Sequence, residues 1–417
     1  MSRREPERFK PYEQDQGQLL PSFVADGLDP ADPVFFIHEV VEQMDLTAFE
    51  SRYSAVGEHA YPPRLLLKLW LFGVTQGVYS GREIGRRLHW DLRFRYLVGS
   101  AEHPDFRTIN RFRVRHAADF SEILRQTLLL ARQAKLVRLG VVTVDGTKIL
   151  ANTSRHKAMS HEGMVEAEER LDAEIRAITR RLDEVGEQED RDCGEDDDGG
   201  GGLPEELQDR KTRREKIRAL RAQLEAEKGD KLENRHQKSF ADPDAQMMKT
   251  GDGSLQYSYN AQAAVSQDGL IVAAELTRDA TDFAQLVPMT EAVEEMMGEK
   301  PALIVADKGY LSEEVLAKMH TGEQRCLVAT GREGKSEAKW PSQPLSQAMS
   351  RTLRLPWADH IYRRRKTQAE RPFAEIKAVM KFRQFSLRGV LKVTGEWGLV
   401  CAEFNLRRLM AAAAAVG

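Results

Sequence analysis

Two stretches decide the fold: Val141-Val-Thr-Val-Asp145-Gly146 and Ala302-Leu-Ile-Val-Ala-Asp307-Lys-Gly309. Each is a short, apolar, β-branched run that meets an acid and then a glycine. Runs of this length and composition, bounded by turn residues, read as buried strands, and both are expected to end at their acid. Working outward, Tyr257-Ser-Tyr-Asn-Ala-Gln-Ala-Ala-Val-Ser and Leu270-Ile-Val-Ala-Ala-Glu-Leu-Thr are two more strands. Gln267-Asp268-Gly269 between them is a hairpin signal. Phe283 to Met297 has helical spacing, Ser312 opens a helix to about His320, and Arg325 to Thr330 is a further strand. The order β, ββ, α, β, α, β with a final helix predicts an α/β sheet of mixed direction with helices on its faces.

Upstream of this sheet the pattern is entirely helical. After a polar lead over 1–29, Asp29-Pro-Ala-Asp-Pro opens a helix whose amphipathic run reaches about Tyr53. Tyr61-Pro-Pro-Arg starts a second, with Leu65, Leu66, Leu69, Trp70 and Phe72 on a broad apolar face. Ser80 starts a short one. Asp105 or Thr108 caps another, whose periodicity runs on to about Lys135. Residues 30–138 are therefore expected to form an all-α domain, rich in arginine and suited to a helix-turn-helix type of DNA contact. Exposed arginines on a packing domain are the other reading.

The sheet is interrupted by residues 160–235. Leu171, Ile175, Ile178 and Leu182, and later Ile217, Leu220 and Leu224, give narrow apolar seams on otherwise charged runs, as in a two-helix hairpin. Such an arm suits dimerisation, DNA contact or simple self-pairing. An acidic, Gly-rich stretch up to Gly202 joins the two runs and is expected to be a disordered loop. The α/β sheet domain is then assigned to 139–159 and 236–400, with 401–417 as a C-terminal helical tail.

With 417 residues and a hydrophobic fraction of 41%, the chain has material for two or three cores. It carries no long uncharged apolar run, which excludes a membrane span, and no secretory signal is expected. Cys193, Cys326 and Cys401 follow no metal or disulfide spacing, consistent with a reducing cytoplasm. The net charge of -3 hides a strong asymmetry. Residues 185–198 hold eight acids and one arginine, whereas 351–392 hold twelve Lys and Arg against three acids, and 76–115 nine Arg against four acids. Concentrated positive charge focuses a field on a polyanion even when the total is near zero.

Chemistry centres on Asp145 and Asp307, two acids at matching places in two strands. Sites in α/β sheets form where strands end. Two carboxylates brought together repel unless a cation lies between them, and oxygen-only ligands suit Mg²⁺ or Mn²⁺. Taken singly, either acid is also an ordinary turn residue. A third acid, Glu370, sits in Ile361-Tyr-Arg-Arg-Arg-Lys-Thr-Gln-Ala-Glu-Arg-Pro-Phe-Ala-Glu-Ile-Lys377. In a helix Lys366, Glu370, Phe373 and Lys377 share one face, with Pro372 expected in the first turn or at a kink. An i,i+4 pair with Lys366 is worth only about 0.3–0.5 kcal/mol, a weak reason for so cationic a setting. Glu375 lies about 140° around the helix from Glu370.

These motifs together resemble the bacterial insertion-sequence transposases of the DDE class, whose catalytic domain has the ribonuclease H-like fold. Tyr61-Pro-Pro-Arg to His116 is similar to the N-terminal helical domain of one large group of them. Asp242-Pro-Asp-Ala-Gln-Met-Met-Lys and Tyr259-Asn-Ala-Gln-Ala-Ala-Val are similar to the segment around the second strand. Val144-Asp145-Gly-Thr-Lys, Ala306-Asp307-Lys-Gly-Tyr, and Glu370 with Lys377 match the three acids and their surroundings. The chain departs from the family pattern in two ways. Tyr362 lies eight residues before Glu370 rather than seven and Lys366 replaces the usual Arg. The insertion falls between the first and second acids rather than the second and third.

The resemblance implies two Mg²⁺ or Mn²⁺ ions held by Asp145, Asp307 and Glu370, and cleavage and strand transfer on double-stranded element ends and target DNA. It also implies a homodimer on DNA and a nucleoid location. Strand contacts are expected from Lys308, Tyr362, Arg363, Arg364, Arg365, Lys366 and Lys377, with Arg86, Arg87 and Arg111 contributing from the helical domain. Trp340 and Trp357 are candidates to stack on an unpaired base, though packing explains them as well. A catalytically silent DNA-binding relative and a nuclease without strand transfer are the alternatives.

Overall fold

The computed structural model describes residues 23–53, 60–154, 157–193, 205–331, 336 and 341–415, and the side chains of all of these but 182–193. Trp340 lies outside the described residues, as do the side chains of Leu182 and Cys193.

Seven helices come first: α1 (Pro33–Gln43), α2 (Thr47–Glu50), α3 (Pro63–Thr75), α4 (Gly81–Trp90), α5 (Leu92–Val98), α6 (Phe106–Arg115) and α7 (Phe120–Gln133). Four of them start at a side-chain cap. Asp32, Ser80, Asp91 and Asp105 each accept a hydrogen bond from a free first-turn amide. Helix α3 is buried at every residue from Leu65 to Val74 and forms the centre of the group. Two long helices expected from periodicity are each broken. The run to Tyr53 divides at Met44 into α1 and α2. The run from Asp105 to Lys135 divides at His116, whose Nδ1 lies 2.9 Å from an Asp119 carboxylate oxygen and whose ring packs on Phe49 and Phe112. A 3₁₀ turn over Ala117–Asp119 re-aims the apolar face there, which period counting alone does not detect.

The remaining elements are β1 (Val141–Leu150), β2 (Ala158–Ser160), α8 (His161–Cys193), α9 (Glu205–Lys228), β3 (Gln237–Ser239), β4 (Gln246–Lys249), β5 (Leu255–Ser266), β6 (Ile271–Thr277), α10 (Leu286–Met297), β7 (Leu303–Ala306), α11 (Glu313–Thr321), β8 (Cys326–Val328), α12 (Pro344–Thr352), α13 (Pro356–Ala378) and α14 (Val390–Ala414). The main sheet runs β4-β5-β1-β7-β8, with β6 also on β5. The β1–β5 and β5–β6 pairs are antiparallel, and β1–β7 and β7–β8 are parallel. This is the expected mixed α/β sheet behind a helical N-terminal region, the arrangement of a ribonuclease H-like fold. No helix among the described residues is long and apolar enough to cross a membrane.

Helix α14 differs most from expectation. Residues 401–414, read as a tail, are the second half of one helix that is buried almost without break from Val393 to Leu406. It packs against α7, β6 and α3, so the helical region and the sheet share one apolar cluster. A helix apolar all round belongs in an interior. Gly395 permits the contact, since a Cβ there would stand 1.8 Å from the Ala117 carbonyl oxygen. Polar ties cross the same boundary. Arg113 lies 3.3 Å from Glu396, both buried, and Thr75 Oγ1 donates to Glu403 at 2.6 Å.

The inserted helices pair with each other. Met164, Ala167 and Leu171 meet Ile217, Leu220 and Leu224 in a closed seam. Arg210–Glu174 at 2.8 Å, Arg214–Asp172 at 2.7 Å and Arg218–Glu168 at 2.7 Å flank it. The β2–β3 ladder closes the root. Helix α8 runs through Cys193, so the first part of the acidic run, expected as loop, is helical. Residues 194–204 lie outside the described residues.

Candidate active site

The β1–β7 ladder pairs Val141 with Leu303 through Val144 with Ala306. Asp145 and Asp307 are the next residues on the two parallel strands, so they emerge side by side. The expectation that both strands stop at their acid holds for β7 only. Strand β1 continues to Leu150 because β5 pairs with it from Val142 to Leu150, with Asp145 opposite Ala263. Asp145 is thus mid-strand, at the point where its parallel neighbour ends.

Strand alternation sets which face each side chain joins. Thr143, Asp145 and Thr147 point to one face. Thr143 Oγ1 donates to Gln368 Oε1 at 3.1 Å, and Lys377 Nζ donates to Thr147 Oγ1, both partners lying on α13. Asp145 therefore lies beneath the stretch of α13 between Gln368 and Lys377. Gly146 and Lys148 point to the opposite face, opposite Gln262 and Asn260 of β5.

Asp145 accepts a hydrogen bond from the Gly146 amide at 2.9 Å. Asp307 caps the turn after β7, accepting from the Gly309 amide at 2.7 Å. Burial pushes the Asp145 carboxyl up to about 6, and the neighbouring carboxylates Asp307 and Asp282 add to the rise. The Gly146 amide and the Arg365 guanidinium act the other way. A carboxylate strained in this sense is relieved by a cation. The donors are oxygens, which fits a hard divalent ion. Asp145 and Asp307 thus fit the metal expected from sequence, although among the described residues no three acid, His or Cys side chains converge into a ready-made cage.

Glu370 is carried on the α13 stretch that passes over Asp145, but its side chain is exposed, while Ala369 and Phe373 beside it are buried. It is not among the groups acting most strongly on Asp145. Pro372 is neither in the first turn nor at the helix start. Helix α13 begins at Pro356, and Pro372 is an interior, buried residue. Of the expected strand contacts on this helix, Arg364 and Lys366 are exposed, and Arg363 is exposed but paired with Asp359 at 2.9 Å. Arg365 is half-buried over the Tyr362 ring, and its charge acts to lower the Asp145 carboxyl. Lys377 faces inward onto Thr147 and the Lys148 carbonyl, not outward to solvent.

Lys308 is exposed at the turn after Asp307, and Trp357 is half-exposed at the start of α13. In the helical region Arg111 is exposed on α6, Arg86 pairs with Glu83, and Arg87 is half-buried over the Trp90 ring. Helices α4 and α6 lie close at Gly81, where a Cβ would stand 2.5 Å from Asn110 Oδ1. Exposed arginines lie on both helices, Arg86 on α4 and Arg111 on α6.

Asp282 and Lys148 were not singled out from sequence. Asp282 lies in the loop after β6, and nothing local separates it from Asp279. Lys148 reaches the opposite face because β1 continues past Asp145, pairing Lys148 with Asn260.

A family model described as "Transposase DDE domain" matches residues 232–406, taking in Asp282, Asp307 and Glu370 but not Asp145. A second, described as "Transposase domain (DUF772)", matches residues 23–115. No curated protein and no solved structure matches the chain.

Proposed function

Since the chain belongs to the insertion-sequence DDE transposases, we propose that it binds the terminal repeats of its element and catalyses strand cleavage and strand transfer there. The observation that carries this reading is the parallel β1–β7 register, which sets Asp145 beside Asp307. Asp145 and Asp307 hold divalent metal, with Glu370 on α13 as the third carboxylate. When bound by these carboxylates, Mg²⁺ or Mn²⁺ would supply Lewis-acid activation of the attacking water or DNA 3′-OH and charge stabilisation at the leaving oxygen.

The chain's own residues bind and orient the DNA. Lys366 projects from α13 one turn before Glu370, and Lys308 from the turn at Asp307, where they engage phosphates; Arg364 lies farther off, beside Arg138 and Gln267 at the start of β1, and extends the cationic track there. Arg365 offsets the charge on Asp145 and orients α13 over it. Arg111 and its neighbours on α4 and α6 form a separate cationic surface for the duplex. Two copies on DNA bring two ends together.

The test is incubation of the full chain with its flanking element DNA and Mg²⁺, with products mapped at nucleotide resolution. Asp145→Ala, Asp307→Ala and Glu370→Ala each abolish cleavage while leaving DNA binding. Cleavage that survives any one of them rules out that residue. Cleaved ends that never join a target point to a nuclease instead.

A further inference from the structure

The loop between β6 and α10 brings a fourth acid to the site, and its bonds are not those of a loop or helix cap. Asp282 Oδ1 accepts from Asn260 Nδ2 and Gln262 Nε2, each at 2.7 Å, and lies 3.5 Å from Lys148 Nζ. All three donors are on the sheet, on the face away from α13. Asp282 is close to both acid-bearing segments. A Cβ on Gly146 would meet Gln262 Nε2 at 2.2 Å and Asp282 Oδ1 at 2.8 Å, so the network presses on the strand directly after Asp145. A Cβ on Gly309 would stand 3.0 Å from Asp307 Oδ1 and 3.5 Å from Asp282 Oδ2, so the same carboxylate abuts the turn after Asp307. Gln262 extends the network, because its Oε1 accepts from the buried Tyr310 hydroxyl three residues past Asp307.

An acid placed beside two others is unfavourable unless it does something that an uncharged group cannot. Here the charge engages Lys148, whose side chain is only 15% exposed. Helix α10 does not use it, since its cap position is Gln285 with no side-chain cap bond.

We propose that Asp282 is a positioning residue of the active site: with Lys148, Asn260 and Gln262 it clamps the Asp145 strand to the Asp307 turn, holding the two carboxylates at the spacing a divalent ion requires. This rests on the reading that Asp145 and Asp307 bind that ion. Supporting residues of this kind change metal affinity about 10–100-fold when removed.

The experiment is calorimetric titration of the full chain, without DNA, with Mn²⁺, on wild type, Asp145→Ala, Asp282→Asn, Lys148→Met and the Asp282→Asn/Lys148→Met double variant. Urea unfolding of each ion-free protein runs alongside. Asp282→Asn keeps the shape and an acceptor but not the charge. Its Mn²⁺ affinity falls about 10–100-fold. Lys148→Met also weakens binding, and the double variant is no weaker than Asp282→Asn, because both act through one set of contacts. Lys148→Met alone carries the test if Asp282→Asn does not fold.

Three results overturn the proposal. Asp282→Asn binds like wild type. Or Lys148→Met binds more tightly and the double variant returns to wild type, the signature of plain charge. Or Asp282→Asn loses the ion as completely as Asp145→Ala, which makes Asp282 a ligand. If wild type binds no Mn²⁺, or Asp145→Ala binds it equally well, the metal reading itself falls and the proposal with it.

Discussion

Asp145→Asn should stabilise this protein when no metal is present. Burial, with Asp307 and Asp282 nearby, holds the Asp145 carboxyl at about 6 in the folded chain, against an ordinary 3.8. A folded value above the unfolded one means the native state binds the extra proton between those two pH values. Stability therefore falls as pH rises from about 4 to about 6 and stays reduced above. A shift of this size corresponds to about 3 kcal/mol as an upper figure, and partial exposure of the carboxylate lowers it to about 1–2 kcal/mol. Asparagine keeps an oxygen for the Gly146 amide and removes the charge. The assay is urea unfolding of wild type and variant at pH 4.5 and pH 8, with chelator and then with Mn²⁺. At pH 8 in chelator the variant is more stable by about 1–2 kcal/mol, and near pH 4.5 the gap largely closes. Saturating Mn²⁺ at about a hundred times its dissociation constant stabilises wild type by about 2.7 kcal/mol and the variant far less. A variant that is less stable at pH 8, or a difference that does not change with pH, refutes the reasoning.

Gly395→Ala drives a methyl into the Ala117 carbonyl and must separate α14 from the turn before α7. A loss of about 1–3 kcal/mol or more is expected in urea unfolding, against a near-neutral Gly251→Ala control, where nothing lies within 4 Å of the added Cβ and φ is not positive. Arg113→Ala leaves Glu396 buried without its cation, a loss of about 3–5 kcal/mol. Arg113→Ala/Glu396→Gln should recover part of it in the same assay. Arg111→Ala should weaken binding to all duplexes alike and reduce the slope of log affinity against log salt by about 1, measured by fluorescence anisotropy.

Sequence by itself determined the elements whose signals are local. The β-branched runs at 141–145 and 302–307, the hairpin at Gln267-Asp268-Gly269, the caps at Ser80 and Asp105, and the seams at Leu171 and Leu220 all depend on alternation, period or turn chemistry. These report the backbone state of a few neighbouring residues. They also sufficed to nominate Asp145, Asp307 and Glu370.

What only the tertiary structure decided is which side chains meet. Strand β1 passes Asp145 because β5, more than a hundred residues later, keeps pairing with it. That extension puts Lys148 on the face where Asp282 arrives from a distant loop. Helix α13 begins at Pro356, turns Lys377 inward onto β1 and leaves Glu370 exposed on the stretch that passes over Asp145. Helix α14 is interior rather than a tail because α7 and β6 close over it. Each outcome is fixed by register and packing between segments far apart in the chain, where the free energy lies in burial and charge pairing rather than in local dihedral preference.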